Sequence, residues 1–166
     1  MTMWPADIED HARSLVETFS DRGLRVATAE SCTGGLIAAA LTEIAGSSAV
    51  VDRGFVTYSN AAKTTLLKVS DATLALHGAV SEETAIEMVR GALAASDAEV
   101  AISVTGIAGP GGGSPEKPVG LVHLAALRSD GHLRHREMRY GDIGRHDIRL
   151  ATVRTALEML TELGEA

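Results

Sequence analysis

Ser31, Lys63 and Tyr58 are the residues whose types and spacing point most directly to chemistry. Ser31 lies in VATAESCTGGLIAAAL, where a run ending at Ala29 reads as a buried strand and Leu36, Ile37, Ala40 and Leu41 recur at helical spacing. Gly34 and Gly35 between them allow a tight turn, so Ser31 is expected on a strand-to-helix turn. The first turn of a helix has unpaired N–H groups and a partial positive charge, and a serine there could attack a carbonyl while the amides of Cys32 to Gly34 hold the oxyanion. The plainer reading is that Ser31 or Thr33 only caps the helix.

A serine hydroxyl needs a base. None of the six histidines (His11, His77, His123, His132, His135 and His146) falls at the carboxyl end of an expected strand, which disfavours a Ser-His-Asp arrangement. Lys63 is the better candidate, because a lysine in a closed, partly apolar pocket loses its charge more easily and can then accept a proton. Tyr58 could relay or orient that proton; taken alone, it reads as a half-buried strand aromatic and Lys63 as a solvated helix lysine.

Cys32 competes as a nucleophile, since a helix N-terminus lowers a thiol's pKa, or is simply a small buried residue. The stretch TGIAGPGGGSPEKPVG supplies many unhindered amides, from Thr105 and Gly106 through Gly109, Gly111 and Gly112, which could cradle a phosphate. Arg145 and Arg149, one turn apart, could clamp a phosphate or form exposed ion pairs. His132 and His135 would point to opposite faces of a strand, and no CxxC or HExxH occurs, so no metal is expected. No cofactor is expected either.

The elements that must position these groups follow from periodicity. A helix over residues 8–19 stops at Gly23 and feeds a strand over 24–29. The helix after the turn is expected to end near Ala45-Gly46, followed by a strand over 49–58 and a short helix over 60–68 capped by Ser59 or Asn60. A segment over 71–77 stops at Gly78, and Ser81 caps a helix with Glu82 and Glu83 in its first turn. A strand over 99–104 enters the glycine-rich loop, whose length inside a compact fold marks it as functional or mobile. Strands over 119–127 and 132–140 flank a Ser129-Asp130-Gly131 turn, and a helix over 145–163 closes the chain. This order predicts an α/β fold: a three-layer α/β/α sandwich with a mixed, mostly parallel five-stranded sheet in one domain, 1–166, with one antiparallel strand. Ligands of such sheets gather beyond the carboxyl ends of the strands, where residues 30–35, 58–63 and 105–113 all fall.

Composition narrows the function classes. With 45% hydrophobic, 22% charged and only 3% aromatic residues, the 166-residue chain reads as a globular protein with an aliphatic core and no aromatic base-stacking platform. Its formal charge of −7 argues against a nucleic-acid or anionic-membrane partner while leaving room for a local phosphate pocket. No apolar run reaches membrane-spanning length, the N-terminus lacks signal-peptide features and Cys32 is the one cysteine, so a cytoplasmic location is expected.

TAESCTGGLIAAALTEIAGSS, GFVTYSNAAKTTLL, GAVSEETA and ISVTGIAGPGGGSPEKPVG, in this order and spacing, resemble the C-terminal domain family of the competence/damage-inducible protein CinA, over about residues 8–163. The resemblance implies a nicotinamide-nucleotide amidohydrolase that converts nicotinamide mononucleotide to nicotinate mononucleotide and ammonia. It implies Ser31 as nucleophile, Lys63 as base and Tyr58 as an assisting residue, with the glycine loop and Arg145 in nucleotide binding. Many members carry a further N-terminal domain acting on pyrophosphate bonds; nothing in these residues corresponds to it, and pyrophosphatase activity is not expected. The alternative is a non-catalytic nucleotide-binding module serving competence or DNA-damage responses. A homodimer through the amphipathic last helix is a further expectation.

Overall fold

The computed structural model describes residues 2–166. A five-stranded sheet has the spatial order β2-β1-β3-β4-β5, with β1 at Val26–Glu30, β2 at Val51–Val56, β3 at Val100–Gly106, β4 at Leu121–Arg128 and β5 at Leu133–Arg139. β1 pairs in parallel with β2 and β3, whereas β4 runs antiparallel to both β3 and β5. Four strands thus share one direction and β4 alone opposes them, as expected of the alternating pattern.

Helices cover both faces. Helices α1 (Ala6–Arg22), α2 (Leu36–Thr42) and α6 (Arg145–Glu165) pack on one side through Ile8, Phe19, Ile37, Leu41, Ile148 and Leu157, against Val26, Val100, Ile102 and Val104. Helices α3 (Asn60–Leu67), α4 (Asp71–His77) and α5 (Glu82–Ala94) lie on the other, where Leu67, Met88 and Val89 meet Ala27, Ala29, Ala101 and Ala125. The alternation along β1 and β3 sets this asymmetry: branched residues face one way, and alanines and Ser103 the other. The small-residue face lets α5 come close, and the Ser103 hydroxyl donates to the Ala85 carbonyl at 2.6 Å.

Local chemistry sets the boundaries. Gly23 closes α1 in a left-handed conformation, and Ser59, Ser70 and Ser81 each accept a main-chain N–H three residues on, capping α3, α4 and α5. Two expectations need correction. α2 ends at Thr42 rather than near Ala45, and a 3₁₀ turn over Ser47–Ala49 takes up the following chain. β2 is also shorter than the expected 49–58, because Val50 belongs to that turn while Thr57 and Tyr58 leave the sheet. Among the described residues, no helix is long and apolar enough to cross a membrane.

Candidate active site

The parallel register brings three segments to one edge. Glu30 stands opposite Val56 on one side and Val104 on the other. The chain continues this alignment past the strands, with Ser31 N–H donating to Val104 O at 3.0 Å and Thr57 N–H to Glu30 O at 2.8 Å. Ser31 and Thr57 therefore leave the sheet side by side, next to Thr105, which β3 still carries opposite His123 of β4.

Lys63 arrives from the first turn of α3. Its Nζ lies 3.0 Å from Ser31 Oγ and 2.9 Å from the Thr57 carbonyl oxygen. The side chain is only 1% exposed, and burial pulls its pKa below the ordinary lysine value of 10.5. The solvated helix lysine is thus not what forms. Ser31 itself is 8% exposed at the floor of a cavity of about 280 Å³.

Most of the residues singled out in the sequence line that cavity: Ser31, Cys32, Tyr58, Lys63, Thr105, Gly106, Gly109, Gly111, Gly112 and Arg145. Thr33, Gly34 and Gly35 do not. Thr33 is wholly buried with its hydroxyl on the Glu30 carboxylate at 2.7 Å, and the two glycines make the left-handed turn behind the serine. The lining contains two basic side chains, Lys63 and Arg145, and no acid.

Tyr58 differs from its reading as a half-buried strand residue. It stands beyond β2, 61% exposed, with its hydroxyl accepting from Arg145 Nη2 at 3.1 Å, and it makes no hydrogen bond to Ser31 or Lys63 among the described residues. Arg145 also donates to the Gly109 carbonyl at 2.7 Å, joining the start of α6 to the glycine loop. In that loop the amides of Ala108, Gly109, Gly111, Gly112 and Gly113 have no acceptor among the described residues.

The amides of the serine turn are divided differently from expectation. Gly34 N–H donates to the Ser31 carbonyl at 3.0 Å, and the buried Thr33 offers nothing to the cavity, which leaves the Cys32 amide. That amide has no oxygen acceptor among the described residues. The Cys32 thiol is 6% exposed, and burial pushes its pKa up to about 12, the opposite of the shift a nucleophilic thiolate needs.

Two residues that sequence reasoning did not assign to the serine turn hold it. The buried Glu30 carboxylate accepts from the Thr33 hydroxyl and from the amides of Ile37, at 2.8 Å, and Ala38, at 3.1 Å, closing the start of α2. Arg149 donates from Nε to the Cys32 carbonyl and from Nη2 to the Thr33 carbonyl, both at 3.1 Å, rather than standing free for a phosphate or an exposed ion pair. An acid at a strand end three residues before a threonine was the available signal for Glu30. Among the described residues no three His, Cys, Asp or Glu side chains converge to hold a metal ion.

Fold and site together define an α/β domain with a buried serine-lysine pair at the carboxyl edge of its parallel strands. The chain belongs to the CinA C-terminal domain family, whose profile matches residues 8–163. It is 46% identical over 159 residues to the nicotinamide-nucleotide amidohydrolase PncC of Escherichia coli strain K12, covering 95% of each chain. It is 57% identical over 122 residues to a CinA-like protein of Chloroherpeton thalassium, covering 74% of this chain but only 28% of that longer one. Among solved structures, the competence/damage inducible protein CihA from Agrobacterium tumefaciens is 66% identical and superimposes with a TM-score of 0.97, over 98% of this chain and 99% of that one.

Proposed function

We propose that this protein is a nicotinamide-nucleotide amidohydrolase that converts nicotinamide mononucleotide to nicotinate mononucleotide and ammonia. The observation that carries the reading is the 3.0 Å approach of the buried Lys63 amine to the Ser31 hydroxyl inside a cavity that also carries Arg145 and is free of acids. The likeness to PncC over 95% of both chains supports the substrate.

In its neutral form the Lys63 amine has one lone pair and two N–H groups. It accepts the Ser31 proton while donating to the Thr57 carbonyl, and Ser31 Oγ attacks the carboxamide carbon. The Cys32 amide faces the developing oxyanion. Collapse of the tetrahedral intermediate breaks the C–N bond, and the lysine ammonium returns the proton to the departing ammonia. Water, deprotonated by the same amine, then releases the carboxylate and regenerates Ser31. Tyr58 assists from the cavity mouth through Arg145, and Arg145 with the unpaired glycine-loop amides holds the phosphate.

Ammonia release from nicotinamide mononucleotide tests this reading. The wild-type protein is expected to produce stoichiometric ammonia and nicotinate mononucleotide, and folded Ser31→Ala to produce none above background. Wild-type turnover in Ser31→Ala would reject the nucleophile.

A further inference from the structure

We propose that Arg149, on α6 outside the substrate cavity, is a positioning residue that orients and polarises the Cys32 amide for oxyanion binding. This rests on the amidohydrolase reading for its natural substrate, though not for its geometry.

The argument follows the peptide units of the serine turn. Each trans peptide is planar and points its C=O and N–H in opposite directions, so fixing the oxygen aims the amide. Arg149 Nη2 donates to the Thr33 carbonyl at 3.1 Å, and the same peptide unit ends in the Gly34 N–H. That N–H donates to the Ser31 carbonyl at 3.0 Å, whose peptide unit ends in the Cys32 N–H. Guanidinium, first peptide and second peptide thus form one aligned series whose terminal donor is the amide next to the nucleophile. The Cys32 amide has no oxygen acceptor among the described residues, and Cys32 lines the cavity.

A charged donor at the head of such a chain strengthens every bond after it. Arg149 Nε on the Cys32 carbonyl fixes the intervening peptide as well, so the guanidinium grips two successive carbonyls as a fork. From the opposite end, Glu30 takes the Thr33 hydroxyl and the amides of Ile37 and Ala38. The turn is therefore held by a cation on its carbonyls and an anion on the Thr33 hydroxyl and the first amides of α2, and the Cys32 N–H is left without an oxygen acceptor among the described residues. Arg149 reaches the turn from the α6 layer, whereas Lys63 reaches Ser31 from the α3 layer, so the two act on opposite sides of one turn.

Arg149→Met, with Arg149→Lys as a companion, tests the assignment through two readouts. The first is the rate at which a fluorophosphonate probe labels Ser31, followed by intact mass; it needs the oxyanion site but no nucleotide. The second is kcat and KM for nicotinamide mononucleotide. Labelling rate and kcat are both expected to fall about 10- to 100-fold in Arg149→Met, with KM within about twofold. Arg149→Lys should recover part of the loss, and guanidinium ion at concentrations far below denaturing should partly rescue the folded Arg149→Met protein but not Ser31→Ala. An unchanged labelling rate overturns the proposal. So does a rise in KM alone, which would place Arg149 on substrate, or a loss that only tracks the unfolded fraction and resists rescue. If Arg149→Met does not fold, Arg149→Lys is read by the same criteria. A wild-type protein whose Ser31 is labelled in an Arg149-dependent way without releasing ammonia would reject the amidohydrolase reading and leave this assignment standing; a wild-type Ser31 that resists the probe would overturn the assignment.

Discussion

Lys63 is the residue on which the chemistry turns, and its burial carries a thermodynamic consequence. Its pKa is held below 10.5 because the folded protein removes the ammonium from water. Between the folded and unfolded values the unfolded chain binds more protons, so stability rises with pH across that window. The cost of burying the charge is fully present below the folded value and is relieved as pH climbs to 10.5. Denaturation of wild type and Lys63→Met at pH 7 and pH 10 should therefore show the wild type gaining relative to the variant at the higher pH. A constant difference would mean that Lys63 is not desolvated. The meeting of Ser31 and Lys63 was legible in the sequence because Ser31 directly follows the end of β1 and Lys63 lies in the helix that follows β2. Glu30 and Arg149 were harder to assign: their partners are main-chain groups that only the turn and the docking of α6 bring into reach.

At the scale of elements, the lysine depends on how closely α3 and α5 approach. Gly91 of α5 lies against the last turn of α3, and a Cβ there would stand 1.9 Å from the Leu67 carbonyl oxygen. Gly91→Ala must push α3 away, with an expected loss of about 1–3 kcal/mol in stability, measured by urea denaturation. Because Lys63 rides on α3, kcat of the folded variant should fall as well; unchanged stability and kcat would show that the helix contact is slack. Helix starts were readable where serine caps announce them, as at Ser59 and Ser81. The end of α2 was not, since Glu43 to Ala45 continue the helical composition and only the chain's turn into the 3₁₀ segment stops it. The hairpin of β4 and β5 was readable from its Ser129-Asp130-Gly131 turn, but the side chains it brings together were not. The His123 and His135 rings lie 2.9 Å apart between nitrogens, a diagonal contact that requires the strand register.

For the whole molecule, the mixed sheet with one opposing strand was expected from the alternation of strands and helices, but its strand order β2-β1-β3-β4-β5 was not. The carboxyl edge was the expected place for the site. The parallel register then accounts for why segments far apart in the chain meet there. Charge works at this scale too. A chain of net charge −7 has little to offer a polyanion, and the cations of the cavity are enclosed or paired with loop groups. Duplex DNA should therefore show no retardation by the protein at physiological ionic strength; salt-sensitive binding would favour the non-catalytic alternative.

The central claim is that a neutral Lys63 amine removes the Ser31 proton, and the pH dependence of kcat/KM for ammonia release tests it most directly. Wild type should show an ascending limb with a midpoint below 10.5, and folded Lys63→Ala should lose about 10²- to 10⁴-fold in rate together with that limb. Ammonia release by Lys63→Ala at the wild-type rate, with the same pH profile, would contradict it.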